Sequence, residues 1–230
     1  MKTVLIVGAT RNLGKALVSH YAAEPDTTVY ATARYGKPTH HSSKIHWISG
    51  IDITRENAGQ TIVLHYNHDF PIDIVYVVAT GSHDLFAQET LQKLDYNKQL
   101  TMYKTSAIGP LFLVQHLVKS NCLAARAKII LVGSAAGSIS LRTKGGNHGF
   151  SASQAALNMV ARLLSFDLKP QNISVGVMFP GRIHLEHEER HAGSSDAVRP
   201  EVAVKRLADF VEKEFNIENS GQLWAPGGFK

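Results

Sequence analysis

Phe150 and Gln154 open the stretch Gly149-Phe-Ser-Ala-Ser-Gln-Ala-Ala-Leu157. Four residues apart, they share one face of a helix, one turn from each other. An acid–base enzyme wants titratable groups at such a place; here stand an apolar ring and a neutral amide. A second stretch, Gly8-Ala-Thr-Arg-Asn-Leu-Gly14, carries a different chemistry. Between a strand and a helix N-terminus it makes an anion site from backbone N–H groups and the helix dipole. Gly8 allows the tight turn and Gly14 the close approach of helix to strand. Asn12 is the non-glycine residue that best tolerates a left-handed backbone. Arg34 stands where an acidic residue would hold a ribose 2′-hydroxyl. An arginine there suits a 2′-phosphate, which points to NADP over NAD. Arg11 can contribute to the same site, and Asp52 is placed to meet an adenine edge. The alternative is that Arg34 and Asp52 are solvated loop charges.

Other residues offer weaker chemistry. His148 lies two residues before Phe150 and titrates near neutrality, so it can replace a lost acid or base or simply face solvent. His83 and Asp84 follow an apolar run, but adjacent residues rarely face each other. His187-Glu-Glu-Arg-His191 matches the H-E-x-x-H string that binds zinc when helical, with Glu188 as base. No third ligand has a recognisable position, although His184 is nearby, so no metal is expected; a lid helix with one of Glu186, Glu188 or His187 pointing into the pocket is favoured over zinc, and a solvated charged lid is the preferred reading. Cys122 has no charged neighbour to activate it. Trp47 and Trp224 fall in strand-like runs and are read as packing.

The elements that must position these residues alternate. Strands are expected at 2–7, 28–32, 45–49, 72–79, 127–132, 173–179 and 221–225. Helices are expected at 13–23, 54–66 with Thr54 as N-cap, about 91–118 with a break near Gly109-Pro110, 151–168 and 200–215. The run at 72–79 is apolar almost throughout, as in a central parallel strand buried on both faces. The pattern is α/β: one Rossmann-like, doubly wound parallel sheet with helices on both faces, in a single domain over residues 1–230. The cofactor half is 1–135 and the substrate loop about 182–199. With 230 residues, 44% hydrophobic and 19% charged, the composition is that of a soluble globular chain. One cysteine forbids an intrachain disulfide and makes a reducing, cytoplasmic setting the expectation. The first apolar run is too short for a signal segment, and none reaches the roughly 18 residues of a membrane span. The net charge of +5 is scattered, which argues against nucleic acid and is met equally well by a local phosphate site.

These motifs together resemble the short-chain dehydrogenase/reductase family, in particular its compact members similar to the C-factor group. The resemblance covers essentially the whole chain. It rests on residues 8–14, Ala31-Thr-Ala-Arg34, Asp52-Ile-Thr, Ser106-Ala-Ile-Gly-Pro110, Gly133-Ser-Ala-Ala-Gly137, the run from Phe150 to Asn158, and Pro180-Gly181. It implies a cofactor held by Gly8, Thr10, Arg11, Asn12, Leu13 and Gly14. Further along it implies Arg34, Asp52, Ile53, Ala79, Gln154, Pro180 and Gly181. The family's proton donor is a tyrosine, followed four residues on by a lysine that lowers its pKa and holds the nicotinamide ribose. A serine polarises the carbonyl, and an asparagine supports a proton relay. Ser134 matches the serine. Phe150 stands at the tyrosine, Gln154 at the lysine and Ser106 at the asparagine. The family's Asn-Asn-Ala-Gly is Val77-Val78-Ala79-Thr80, and its threonine after Pro-Gly is Leu185.

Hydride transfer to a carbonyl leaves an alkoxide that needs a proton, and a general acid contributes roughly 10²–10⁴-fold. Phenylalanine has none to give. Gln154 carries no charge, although its amide can bond a ribose hydroxyl. The favoured expectation is therefore a non-redox enzyme on a reductase scaffold. Its NADP(H) would be structural or absent, and it would shape a small apolar or carbonyl-bearing substrate for cyclisation, isomerisation or elimination. Ser134, Ser106 and His148 would supply hydrogen bonds or a proton shuttle. One alternative is an NADP(H)-dependent carbonyl reductase with an atypical proton donor; another is a non-catalytic NADP(H)-binding protein. The resemblance also implies pairing through the apolar face of 151–168.

Overall fold

The computed structural model describes residues 1–36, 42–66, 70–78, 89–184 and 197–225. Seven parallel strands form one sheet: β1 (Lys2–Val7), β2 (Thr27–Ala33), β3 (Ile45–Ser49), β4 (Ile72–Val77), β5 (Leu123–Val132), β6 (Ser174–Met178) and β7 (Leu223–Trp224). Their order is β3-β2-β1-β4-β5-β6-β7, so successive strands are added first to one side of β1 and then, from β4, to the other. In such a sheet ligands bind beyond the carboxyl ends of the strands at that reversal of strand order.

Alternate residues of each strand face opposite ways, and the two faces are covered by different helices. Leu5, Val7, Val75, Ile129 and Val177 pack under α2 (Ala58–His65), α4 (Gly109–Lys119) and α5 (His148–Asp167). Val4, Ile6, Tyr76, Ile130 and Met178 pack under α1 (Asn12–Ala23) and α6 (Pro200–Lys213). This is the expected doubly wound arrangement. Trp47 and Trp224 pack against the second core, and Cys122 is buried in the first, where burial raises its thiol pKa.

The strand expected from 127 begins at Leu123 and the helix expected from 151 begins at His148, and two other helices begin later than expected. The helix expected from Thr54 begins at Ala58. The Asp52 carboxylate accepts bonds from the Thr54 N–H at 3.0 Å and the Thr54 hydroxyl at 2.8 Å, which holds 52–54 in a turn rather than a cap. The helix expected from about Leu91 begins at Tyr96, as α3 (Tyr96–Tyr103), with the Asp95 carboxylate capping the Lys98 N–H at 2.9 Å. It then widens into a π turn, Lys104–Ile108, and continues as α4 without breaking at Pro110. In the π turn the Gly109 N–H reaches back to the Lys104 carbonyl. That slip starts a new helical register, so Pro110 falls in its first turn, where a missing N–H costs little. Gly109 has a packing reason as well: a Cβ there would lie 2.2 Å from the Ile53 carbonyl oxygen.

On the other face, the Tyr21 and Tyr76 hydroxyls meet at 2.7 Å inside the core. Burial raises the pKa of both phenols far above the usual value. Tyr76→Phe leaves the Tyr21 hydroxyl buried without its partner, with an expected cost of about 1–3 kcal/mol in urea denaturation. The double change to phenylalanine is expected to cost less than the sum of the two single changes.

Candidate functional site

The phosphate loop is built as its residue types require. Gly8 has φ +89° and Asn12 φ +41°, both left-handed. The Gly8 N–H donates to the Thr32 hydroxyl at 2.9 Å and the Ala9 N–H to the Thr32 carbonyl at 3.1 Å, which ties the turn to the end of β2. A Cβ on Gly14 would sit 2.2 Å from the Gly8 carbonyl oxygen, so only glycine lets α1 start this close to β1. No side chain caps the first turn of α1, and no acidic residue lies in it. Those N–H groups and the helix dipole suit an anion. Thr10 and Arg11 are exposed at the turn, whereas the Leu13 side chain is in the core and offers the site only its backbone.

Arg34 and Asp52 lie at the neighbouring strand ends. Arg34 is exposed, with its guanidinium 4.8 Å from the centre of the Tyr35 ring. Burial works to raise the Asp52 pKa. The two Thr54 bonds and the Arg34 and Arg55 charges outweigh it and hold the carboxyl below the usual value. Ile53 is buried against Gly109, so its side chain is spent on packing. These residues fit the phosphates and adenosine end of a 2′-phosphorylated dinucleotide.

At the other end of the cleft, Ser134, Phe150, Gln154 and Ser106 carry no charge. Ser134 lies two residues beyond β5 and is partly exposed; its Oγ accepts the Ala136 N–H at 3.1 Å and keeps its own O–H to donate. Phe150 is only 7% exposed and packs on Met102 and Ala136. Gln154 is 1% exposed, and its Nε2 donates to Ser106 Oγ at 3.3 Å. Ser106 lies in the π turn and has no exposed surface. The two positions therefore bond to each other beneath the site. Gln154 Oε1 is buried without a partner, near Gly133. Gln154 also packs under Gly137, where a Cβ would lie 2.8 Å from its backbone oxygen.

His148 is exposed as the first residue of α5. Pro180 is buried after β6, and Gly181 follows with φ +87°. The stems of the expected substrate loop meet: the His184 N–H donates to the Val198 carbonyl at 3.0 Å, and the Val198 N–H to Arg182 at 2.9 Å. Ala79, His83, Asp84, Leu185, Glu186, His187, Glu188 and His191 lie outside the described residues. Among the described residues, no group of three or more His, Cys, Asp or Glu gathers to hold a metal, and no helix is long and apolar enough to cross a membrane.

One residue that the motifs do not signal is Glu89. Its carboxylate accepts the Gly149 N–H at 2.8 Å and a bond from the Gln99 side chain, and its carbonyl accepts the Asn147 N–H at 3.1 Å. It caps α5 from 60 residues away. Asn147 at φ +50° and Gly146 at φ +82° shape the turn around it.

A doubly wound sheet with a glycine phosphate turn at its reversal defines a dinucleotide-binding fold. The short chain dehydrogenase family matches residues 2–192, and the chain belongs to it. It is 24% identical to 1-hydroxy-2-glutathionyl-2-methyl-3-butene dehydrogenase of Rhodococcus sp., over 97% of this chain and 96% of that one. It is 28% identical to the C-signal protein of Myxococcus xanthus, over 67% and 88%. In fold it is similar to the NADPH-bound carbonyl reductase from chicken fatty liver, with a TM-score of 0.86 and 20% identity over 99% of this chain and 93% of that one.

Ser106→Ala removes the acceptor for the buried Gln154 amide and is expected to cost about 1–3 kcal/mol of stability by chemical denaturation. Adding Gln154→Leu, which removes the stranded amide, is expected to recover part of that loss.

Proposed function

We propose that the protein binds NADP(H) and acts on a small apolar or carbonyl-bearing substrate without net hydride transfer, in a cyclisation, isomerisation or elimination. Its neutral, partly dry site would orient the reacting groups. Orientation alone supplies several kcal/mol of barrier lowering. The observation that carries this reading is the buried Gln154–Ser106 bond beneath Phe150. A buried bonded amide lends no positive charge to the site, and a phenyl ring donates no proton. Bound NADP(H) can supply or accept hydride, but this chain offers no tyrosine–lysine pair to match it with a proton. Ser134 is the hydroxyl placed to donate to a substrate oxygen. His148, on the exposed start of α5, is the group available to shuttle a proton at the rim. Ser106, sealed against Gln154, supports the floor of the site rather than touching substrate.

A second reading, an NADP(H)-dependent carbonyl reductase with another proton donor, is favoured by the dehydrogenase name of the Rhodococcus relative. The two separate in one assay. The expected result is product formation from a panel of enals and enones with unchanged nicotinamide absorbance. Stoichiometric loss of NADPH supports the reductase instead, and His148→Ala then tests its donor. Under the favoured reading, Phe150→Tyr with Gln154→Lys is expected to raise NADPH-dependent carbonyl reduction by on the order of 10²-fold, the contribution of a restored general acid.

Met159, Leu163 and Phe166 lie along one exposed face of α5. A second copy of the chain is proposed to cover them, so Leu163→Glu is expected to shift the protein to monomer in sedimentation.

A further inference from the structure

We propose that Tyr35 sets the preference for a 2′-phosphorylated dinucleotide by holding the Arg34 guanidinium in place before the ligand arrives. The inference rests on the NADP(H) reading above and names a residue that the glycine turn and Arg34 alone do not reveal.

Arg34 follows the last residue of β2 and is solvent-exposed. A free arginine side chain samples many rotamers, and fixing it on a phosphate costs that freedom. Here the guanidinium carbon lies 4.8 Å from the centre of the Tyr35 ring. With the guanidinium carbon over the ring, the cation is attracted to the ring face, and its N–H groups remain to donate to a phosphate.

Tyr35 is 75% exposed, so hydrophobic packing into a core does not explain the ring. Its backbone, by contrast, is anchored. Gly36 turns at φ +66°, and its carbonyl accepts the Ser49 hydroxyl at 3.0 Å, which fastens the turn to the end of β3. The ring thus projects from a fixed turn and carries Arg34 with it. Ala33, before Arg34, pairs with Ser49 at the end of β3, and Asp52 follows just beyond, so Arg34 and Asp52 share the carboxyl edge of the sheet, and the Arg34 charge helps to lower the Asp52 pKa. Tyr35 is a positioning residue: it acts on the ligand through Arg34.

The test is calorimetric titration of the full chain with NADPH and with NADH. Tyr35→Ala is expected to weaken NADPH binding roughly 3-fold, the scale of an exposed cation–π contact, and to leave NADH binding unchanged. Tyr35→Phe, which keeps the ring face, is expected to match the wild type. Arg34→Ala is expected to weaken NADPH binding by about 10-fold or more, as for loss of a charged hydrogen bond. In that background, Tyr35→Ala is expected to have no further effect. An unchanged NADPH-to-NADH ratio in Tyr35→Ala overturns the inference. So does an equal loss for both dinucleotides, which would mean that the ring meets the shared adenosine directly. A wild-type protein that binds neither dinucleotide overturns the cofactor reading and this inference with it.

Discussion

The site is organised around one buried hydrogen bond, from the Gln154 amide to the Ser106 hydroxyl. It joins α5 to the π turn in a place that solvent does not reach. A buried polar group costs free energy without a partner, and the Gln154 Nε2 has one in Ser106 whereas its Oε1 has none. The backbone and Cβ of Gln154 pack under Gly137. Phe150, one turn earlier, closes the same space against Met102 and Ala136. Neither Phe150 nor Gln154 carries a charge, and both are buried.

The two ends of the cleft differ in electrostatic character. At the strand ends near β1 to β3, exposed Arg11 and Arg34 and an uncapped helix start create positive potential. Beyond β5 and at the start of α5, Ser134, Gln154 and Phe150 carry no charge, while His148 is exposed at the rim and the Glu89 carboxylate holds the Gly149 N–H. The first end offers exposed positive charge and backbone N–H groups; the second offers a partly exposed hydroxyl. Both are set by the same sheet reversal between β1 and β4, which opens the crevice.

Two local devices keep the second end in place. The π turn lets Pro110 enter a continuing helix and brings Ser106 inward. Glu89 fastens the start of α5 to the segment that leads into α3 by accepting bonds from Gly149 and Gln99. A carboxylate at a helix N-terminus is favoured by the helix dipole. Asn147, the nominal cap residue, makes no cap bond of its own.

The alternation of apolar runs was enough to specify the seven strands and the doubly wound sheet, because period-two and helical patterns are local properties of the chain. The phosphate turn was equally legible: left-handed backbone at Gly8 and Asn12, and the contact at Gly14, follow from residue type and spacing. The uncharged residue types at 106, 150 and 154 were also readable one by one. Element starts were less so, since Asp52 captures Thr54 through a side-chain bond that competes with helix capping. What only the tertiary structure decided was partnership. Gln154 meets Ser106 across 48 residues, and Glu89 meets Gly149 across 60. Such pairs are made when distant segments pack together, and no local pattern of residues encodes which buried donor will meet which acceptor.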